Sequence, residues 1–274
     1  MSIDALSPSP RRWVTLLTPV LSIAGLLLVW ALAVQIFDIP SYVLPSPWAA
    51  FAAIGEDRDA IGRGIVATGQ VFALGFVIGA ALGFLLALVM SASPVLFRLL
   101  YPVMIVSQAI PVVAIGAALV IWLGFGLAPK LVVVAMIVFF PVLVNVLDGL
   151  RSVDPDSVHL ARAMGASRWR TFVVITLPAT YTPLFSALKM SATFSVTGAI
   201  LAESLASTTG GLGVYLSTMQ GRFNTAGVFA AIIVLASIGL LAFLAISLWE
   251  SVSTPWRRAS IVPRRRRVLP RTRP

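Results

Sequence analysis

A few polar side chains lie inside otherwise apolar segments of the chain, and they have the clearest potential for binding chemistry. They are Gln108, Asn145 and Glu203. Polar and ionisable groups are costly in hydrocarbon, so their presence in a membrane-spanning segment predicts a place on a transport pathway. Two alternatives stay open. Glu203 lies near the end of its segment and could be hydrated there, and the two amides could form hydrogen bonds between helices.

Enzyme chemistry finds little support in the residue types. His159 is the only histidine and the chain has no cysteine, so neither a histidine metal site nor a histidine-based triad can be assembled. Lys130 and Lys189 do not follow the glycine of a phosphate-binding loop. Paired intramembrane aspartates that would hold magnesium are also missing. We therefore expect no catalytic residue, no metal and no cofactor bound by this chain.

The composition indicates an integral membrane protein. Of the 274 residues, 59% are hydrophobic and 11% are charged, and the mean hydropathy is +0.98; a soluble domain has about a quarter of its residues charged. The net charge of +10 comes mainly from a terminal tail and from the gaps between apolar segments. This distribution favours a positive-inside topology over a nucleic acid partner.

The apolar segments predict about six transmembrane helices, since a bilayer takes about 20 helical residues. They cover residues 13–37, 65–90, 99–123, 130–149, 184–206 and 227–249. The first is expected to be a retained span, because the apolar region of a signal peptide is only about 7–15 residues long. The sequence thus predicts an all-α membrane protein with a short tail at 1–12, a transmembrane domain at 13–250 and a basic tail at 251–274.

Glycine and proline predict how these segments are shaped. A glycine recurs every four residues in the second segment, which lets another helix approach closely, and we expect this face to pack within the chain. Prolines in the third segment predict a kinked helix that lines a cavity. A glycine-rich bend is expected before the last segment, and a short helix is expected over Pro47–Ile54. The residues are Gly75, Gly79 and Gly83, Pro102 and Pro111, and Gly210, Gly211 and Gly213.

The basic residues predict which side of the membrane each loop occupies. The side that holds both termini has Arg11, Arg12, Arg98, Arg151, Arg162, Arg168 and Arg170, and the tail adds Arg257, Arg258, Arg264 to Arg267, Arg271 and Arg273. The opposite side has Arg58, Arg63, Lys130 and Arg222. By the positive-inside rule, both termini and the loop at 150–183 are cytoplasmic.

That loop contains a polar, helix-forming stretch between the fourth and fifth spans. Asp154 can cap a first helix, which should end near Met164. Gly165 then supplies a break and Ser167 can cap a second helix. Pro178 is expected to end the second helix. Two short helices at a bend would protrude from the membrane, where they can contact another polypeptide.

The same loop resembles the cytoplasmic coupling loop of permease subunits in type I bacterial ABC importers. Gly165 is followed after nine residues by Ile175, then by Leu177 and Pro178, which matches the spacing of that family. Its usual Glu-Ala-Ala positions are occupied here by His159, Leu160 and Ala161. The missing glutamate removes an acidic contact that the family usually makes.

Further motifs resemble the nitrate, sulfonate and taurine permease group. They are Tyr42 to Pro47, Pro111 to Ile115, Ile121 to Gly126, Phe139 to Pro141 with Asn145, Asp148 to Leu150, and Ala202-Glu203 with Gly211 to Gly213. The chain between Gln108 and Gly149 looks most like the branch that imports thiamine pyrimidine precursors, riboflavin and related heterocycles. The resemblance implies a small polar nutrient as cargo, either such a heterocycle or a nitrate-, sulfonate- or taurine-type anion.

The resemblance implies an assembly in the bacterial inner membrane. A permease homodimer, or a pair with a homologous permease, would join two cytoplasmic ATPase subunits that carry ATP and magnesium, together with an external solute-binding protein. The residues it assigns to ATPase coupling are His159, Leu160, Ala161, Ala163, Gly165, Ala166, Ser167, Trp169, Arg170, Leu177 and Pro178. A secondary transporter or channel without an ATPase is the alternative. A proton relay of several buried acids or an internal repeat would favour this alternative, and the sequence shows neither.

Overall fold

The computed structural model describes residues 11–206 and 210–254, with the side chains of 11–16 and 19 left out. Every regular element in these ranges is helical, so the all-α prediction is confirmed. The helices are α1 (Arg11–Ile36), α2 (Pro47–Glu56), α3 (Arg58–Ala92), α4 (Pro94–Gln108), α5 (Val112–Leu123), α6 (Leu127–Arg151), α7 (Pro155–Ala163), α8 (Arg168–Thr171), a π-helix (Phe172–Thr176), α9 (Leu177–Ala179), α10 (Tyr181–Ala206), α11 (Leu212–Gly221) and α12 (Thr225–Ser253).

Four helices are long and apolar enough to cross a membrane, namely α3, α6, α10 and α12. The bent pair of α4 and α5 brings the number to five. In α1, the apolar stretch Val20–Ile36 is shorter than these helices. The predicted tails at 1–10 and 255–274 lie outside the described residues.

Helix α6 forms the centre of the fold, with its largest contacts to α3 and α10. Valines at every fourth position, Val134, Val138, Val142 and Val146, are fully buried along it. That spacing places them on one face of the helix. This valine stripe is the centre of one large buried apolar cluster that also includes residues of α3 and α10.

The glycine face of α3 packs directly on the backbone of α6, as predicted. A Cβ atom added at Gly75 would lie 2.6 Å from Val134 Cβ, and one at Gly83 would lie 2.6 Å from the Phe139 carbonyl oxygen. At Gly79 it would collide with the carbonyl oxygen of Ala135. The two helices approach closely because the α3 side of the contact carries no side chains.

The predicted third span, 99–123, is bent more sharply than a kinked helix. Two helices, α4 and α5, meet there at 95°. Pro111 has extended backbone angles, φ −60° and ψ 123°, and proline also disfavours helical angles at the residue before it. Pro102 stays inside α4. One proline is therefore accommodated within a helix, while the other separates two helices.

Two other segments differ from the sequence prediction. The outer segment expected to be a glycine-rich bend holds a bend only at Gly210 and Gly211, whose φ angles are +73° and +98°, and then forms α11.

The Tyr215 hydroxyl of α11 donates to Asp57 Oδ2 at 2.7 Å. Burial, followed by that bond and the Asp57 charge, raises the pKa of Tyr215, so the phenol stays protonated and remains a donor.

Pro178 does not end the second helix of the loop. It lies at the start of α9, directly after the π-helix, where the Leu177 N–H donates to the Phe172 carbonyl. Proline has no N–H with which to donate to the Val174 carbonyl in an α-helix. The wider π turn precedes it, and the helical path continues towards α10.

Candidate functional site

The first helix of the protruding loop is capped as its sequence predicts. The Asp154 carboxylate accepts a hydrogen bond from the Asp156 N–H at 3.0 Å and another from the Ser157 hydroxyl at 3.3 Å. Pro155 occupies the first helical position, where a missing N–H removes no helical bond. Local sequence alone is therefore sufficient to start α7.

Gly165 ends this helix in a left-handed conformation, with φ +86°. Its N–H donates to the Arg162 carbonyl at 2.9 Å, and the Ala166 N–H donates to the Ala161 carbonyl at 3.0 Å. This pair of bonds is the Schellman motif, which favours glycine at the left-handed position. Open space surrounds Gly165, so backbone conformation, not crowding, sets the requirement for glycine.

Helix α7 projects from the rest of the protein, and its main packing contact is with α8. Leu160 and Met164 are 64% and 80% exposed, which leaves apolar surface beside the exposed His159. Among the predicted coupling residues, the exposed ones are His159, Leu160, Ala163, Gly165, Ser167, Trp169 and Arg170, and the partly buried ones are Ala161, Ala166, Leu177 and Pro178.

The end of the loop, before α10 begins, packs against the Arg151 end of α6. Thr180 is fully buried, and its hydroxyl donates to the Leu177 carbonyl at 2.7 Å. A Cβ atom at Gly149 of α6 would lie 2.6 Å from Pro183 Cγ and 3.1 Å from Thr180 Cα. The end of the loop and the start of α10 are therefore in direct contact with α6.

Glu203 is buried and bonded rather than hydrated at the end of its helix. Only 1% of its surface is exposed. Its carboxylate accepts from the Thr68 hydroxyl and from the Gly213 N–H, both at 2.7 Å, while the Leu212 N–H donates to Thr68 Oγ1 at 2.8 Å. The acid lies at the N-terminus of α11, where negative charge is stabilised. It connects α3, α10 and α11.

The other two predicted pathway residues have different surroundings. Asn145 donates to the Pro141 carbonyl at 2.8 Å, so this bond lies within its own helix and not between helices. Gln108 is exposed at the end of α4 and lines a cavity of about 210 Å³ with Phe140 and Pro141. Within the described ranges, the Gln108 amide has no hydrogen-bond partner.

This cavity lies near the middle of the membrane-spanning part. Phe140 is about 20 Å from the Leu127 end of α6 and about 17 Å from the Arg151 end, at 1.5 Å of rise per residue. The break between α4 and α5 forms another wall, through Ile110 and Val112. The site combines a free amide, an aromatic ring and irregular backbone, which suits a small polar ring compound.

An ion pair between two spans was not predicted from the sequence. Lys189 Nζ lies 2.8 Å from Glu250 Oε2, and the two side chains are 23% and 12% exposed. They are far apart in sequence, but Lys189 lies near the start of its apolar segment and Glu250 at the end of the antiparallel one that follows, so they share one predicted side of the membrane. Their similar position along neighbouring spans is the sequence feature from which the ion pair could have been predicted.

Comparison with known proteins places the chain in a family. Residues 79–251 match the family described as the inner membrane component of binding-protein-dependent transport systems. The formylaminopyrimidine transport permease ThiX of Halalkalibacterium halodurans is 31% identical over 249 residues, covering 90% of this chain and 99% of the relative. The riboflavin transport permease RibX of Chloroflexus aurantiacus is 31% identical over 266 residues, covering 93% and 97%.

A solved structure shares the fold. The crystal structure of an amino acid ABC transporter with histidines superposes with a TM-score of 0.54 at 17% identity, covering 75% of this chain and 98% of that chain. The helical architecture, the capped loop and the nearly full-length relatives agree. The chain therefore belongs to the inner membrane component family of binding-protein-dependent transport systems, and it is a permease subunit of an ABC importer.

Proposed function

We propose that this permease imports a small nitrogen heterocycle, of the pyrimidine or flavin-precursor kind, across the bacterial inner membrane. The observation that carries the substrate class is its similarity, at 31% identity over nearly the whole chain, to permeases named for formylaminopyrimidine and riboflavin transport. Relatives named for aliphatic sulfonates and taurine are 26% and 28% identical. An organic anion is therefore the second candidate.

The cavity at the α4–α5 break is the proposed contact point for the cargo inside the membrane. Its volume of about 210 Å³ suits a single-ring compound. The Gln108 amide can both donate and accept hydrogen bonds, as the edge of a pyrimidine does. Phe140 offers a ring face for stacking. Glu203 does not contact the cargo, because its carboxylate is already bonded to Thr68 and Gly213.

Helix α7 is the proposed contact for a separate ATPase subunit, which would carry ATP and magnesium. Its exposed Leu160 and Met164 supply an apolar surface, and few contacts bind it to the rest of the chain. His159 stands where the family has glutamate, so apolar contact replaces the acidic one. The arginine distribution supports a cytoplasmic position for α7 and for both termini.

Coupling would run from α7 through the Gly165 turn to the contact of Thr180 and Pro183 with Gly149. ATP-driven closure of two ATPase subunits would displace α7 and thereby tilt α6 and α10. A second permease copy or a homologous permease completes the pathway, and an external solute-binding protein delivers the cargo.

Reconstitution in liposomes tests this function. The permease, its genetically neighbouring ATPase and its binding protein should take up a labelled aminopyrimidine only when ATP is present. Uptake without any ATPase subunit would favour a secondary transporter or channel. Uptake of taurine but not of heterocycles would replace the substrate class while leaving the importer function in place.

A further inference from the structure

A cleft of about 520 Å³ opens between the inner end of α3 and the second half of the loop. Leu88 and Val89 of α3 form one wall, and Phe172 of the π-helix contributes the other. Ser91 and Ala92 of α3 and Arg168 and Trp169 of α8 complete the lining. The cleft is separate from the exposed apolar surface of α7 and from the cavity beside Gln108.

The apolar wall of the cleft continues along the outer face of α3. Ile78, Leu82, Leu85 and Val89 follow one another at helical spacing and are 41%, 53%, 57% and 52% exposed. Such a stripe on a membrane-spanning helix is the surface that lipid chains cover. The cleft is therefore the end of a hydrocarbon-facing surface, and an acyl chain can reach it without leaving the bilayer.

The rim of the cleft is cationic and aromatic. Arg168 is exposed and forms no ion pair with any residue that the structure describes. Trp169 is 73% exposed, and its ring stacks on Phe172 with 5.9 Å between centroids. Tryptophan and arginine are enriched at the membrane–water boundary. A cationic and aromatic rim at the end of a lipid-facing apolar surface is suited to phosphate headgroups.

We propose that this cleft binds one anionic phospholipid of the inner leaflet, such as phosphatidylglycerol. An acyl chain lies against Leu88, Val89 and Phe172, and the headgroup phosphate pairs with the Arg168 guanidinium. Basic pockets between helices on the cytoplasmic side are suited to anionic headgroups. The Trp169 ring covers the junction of chain and headgroup.

A lipid is favoured over an ATPase subunit as the occupant because of where Trp169 lies. Its ring contacts Phe172 and the cleft, whereas the apolar surface on α7 is formed by Leu160 and Met164. The loop thus presents two surfaces with different partners. The bound lipid would hold α8 and the start of the π-helix, through which the loop returns to the membrane.

Native mass spectrometry of the detergent-purified permease tests the proposal. Phosphatidylglycerol, phosphatidylcholine and soluble glycerol 3-phosphate are titrated separately. Phosphatidylglycerol should bind several times more tightly than phosphatidylcholine. Arg168→Gln should lower this affinity ratio by about fivefold, the size expected for one arginine near an anionic surface. Arg170→Gln, which removes the same charge two residues away, should keep the preference.

A second variant keeps the test independent of charge. Val89→Trp fills the cleft from an exposed position and should weaken both phospholipids. Equal binding of the two phospholipids by the wild-type protein would overturn the proposal. So would competition by glycerol 3-phosphate alone, which would indicate a site for a soluble anion. If Arg168→Gln prevents copurification of the ATPase subunit while lipid binding is unchanged, the cleft is a protein contact instead.

Discussion

The carboxylate of Glu203 accepts a 2.7 Å hydrogen bond from the backbone N–H of Gly213, so an acid on α10 caps the first turn of α11. A Cβ atom at Gly211 would lie 2.5 Å from Glu203 Cδ. Glycine is therefore needed at position 211 both for its positive φ angle and for the space that the carboxylate occupies. Glu203, Gly211 and Gly213 thus form one structural unit that joins α10 to the start of α11.

Glu203→Gln should destabilise the protein by about 1–3 kcal/mol, because a neutral amide cannot accept from both Thr68 and Gly213 as the carboxylate does. Thermal unfolding in detergent measures this. Ser204→Ala, at the exposed neighbouring position, should change stability by less than about 0.5 kcal/mol. Unchanged stability of Glu203→Gln combined with lost uptake would assign Glu203 to the transport pathway instead.

Gly79→Ala should destabilise by about 1–3 kcal/mol, since the added methyl group collides with the Ala135 carbonyl and forces α3 away from α6. Gly62→Ala is the matched control on the same helix, where open space surrounds the glycine. The free energy of unfolding of the Gly62→Ala variant should stay equal to the wild-type value or rise by up to about 1 kcal/mol. Equal effects of the two substitutions in unfolding measurements would argue against backbone packing of α3 on α6.

Gly165→Val should abolish coupled uptake while the protein still inserts and folds. A β-branched residue with φ near +86° loses at least about 1–2 kcal/mol locally, so the turn after α7 changes. Gly165→Asn should retain most activity, because asparagine tolerates the left-handed region. ATP-driven uptake in liposomes compares the two. Full uptake by the valine variant would remove the turn from the coupling route.

Lys189 and Glu250 should show strong energetic coupling. Lys189→Met or Glu250→Gln alone removes one charge of this partly buried pair, whereas the double variant removes both charges. We expect a coupling free energy of about 1–3 kcal/mol in a double-mutant cycle. Additive effects would show that the 2.8 Å contact contributes little.

Gln108→Leu should raise the KM for uptake by about three- to tenfold, which corresponds to one neutral hydrogen bond with the cargo. Thermal stability should not change, because the amide is exposed and has no partner within the described ranges. Asn145→Leu provides the contrast: its amide bonds the Pro141 carbonyl, so the KM should stay the same. The opposite pattern would move the proposed contact to Asn145.

Local signals predicted the loop well. Asp154, Gly165 and Ser167 act through bonds to residues within five positions, so their capping roles follow from the sequence. The π-helix did not follow, because the effect of Pro178 depends on whether the preceding turn can widen. The sequence predicted that Gly75, Gly79 and Gly83 form a packing face. It did not predict α6 as the partner, because that contact depends on the tertiary fold.

Long-range contacts explain most of the remaining differences. Glu203 and Thr68 lie 135 residues apart, and hydropathy alone places the acid near water. The break at Pro111 and the accommodation of Pro102 within α4 involve the same residue type in the same segment. The two halves of the segment pack on different helices, α4 on α3 and α5 on α6 and α10, and such tertiary contacts cannot be read from the proline positions.

The contact of the glycine face of α3 with the backbone of α6 has a mechanical consequence. The glycines of α3 carry no side chain, and they contact backbone atoms and stiff valine side chains of α6. The two helices therefore cannot slide past each other without breaking contact, and they should rotate as one rigid body. Helix α7, by contrast, touches mainly α8. A force applied at α7 would reach the membrane as a torque on this rigid pair, with the Gly149 contact as its point of application.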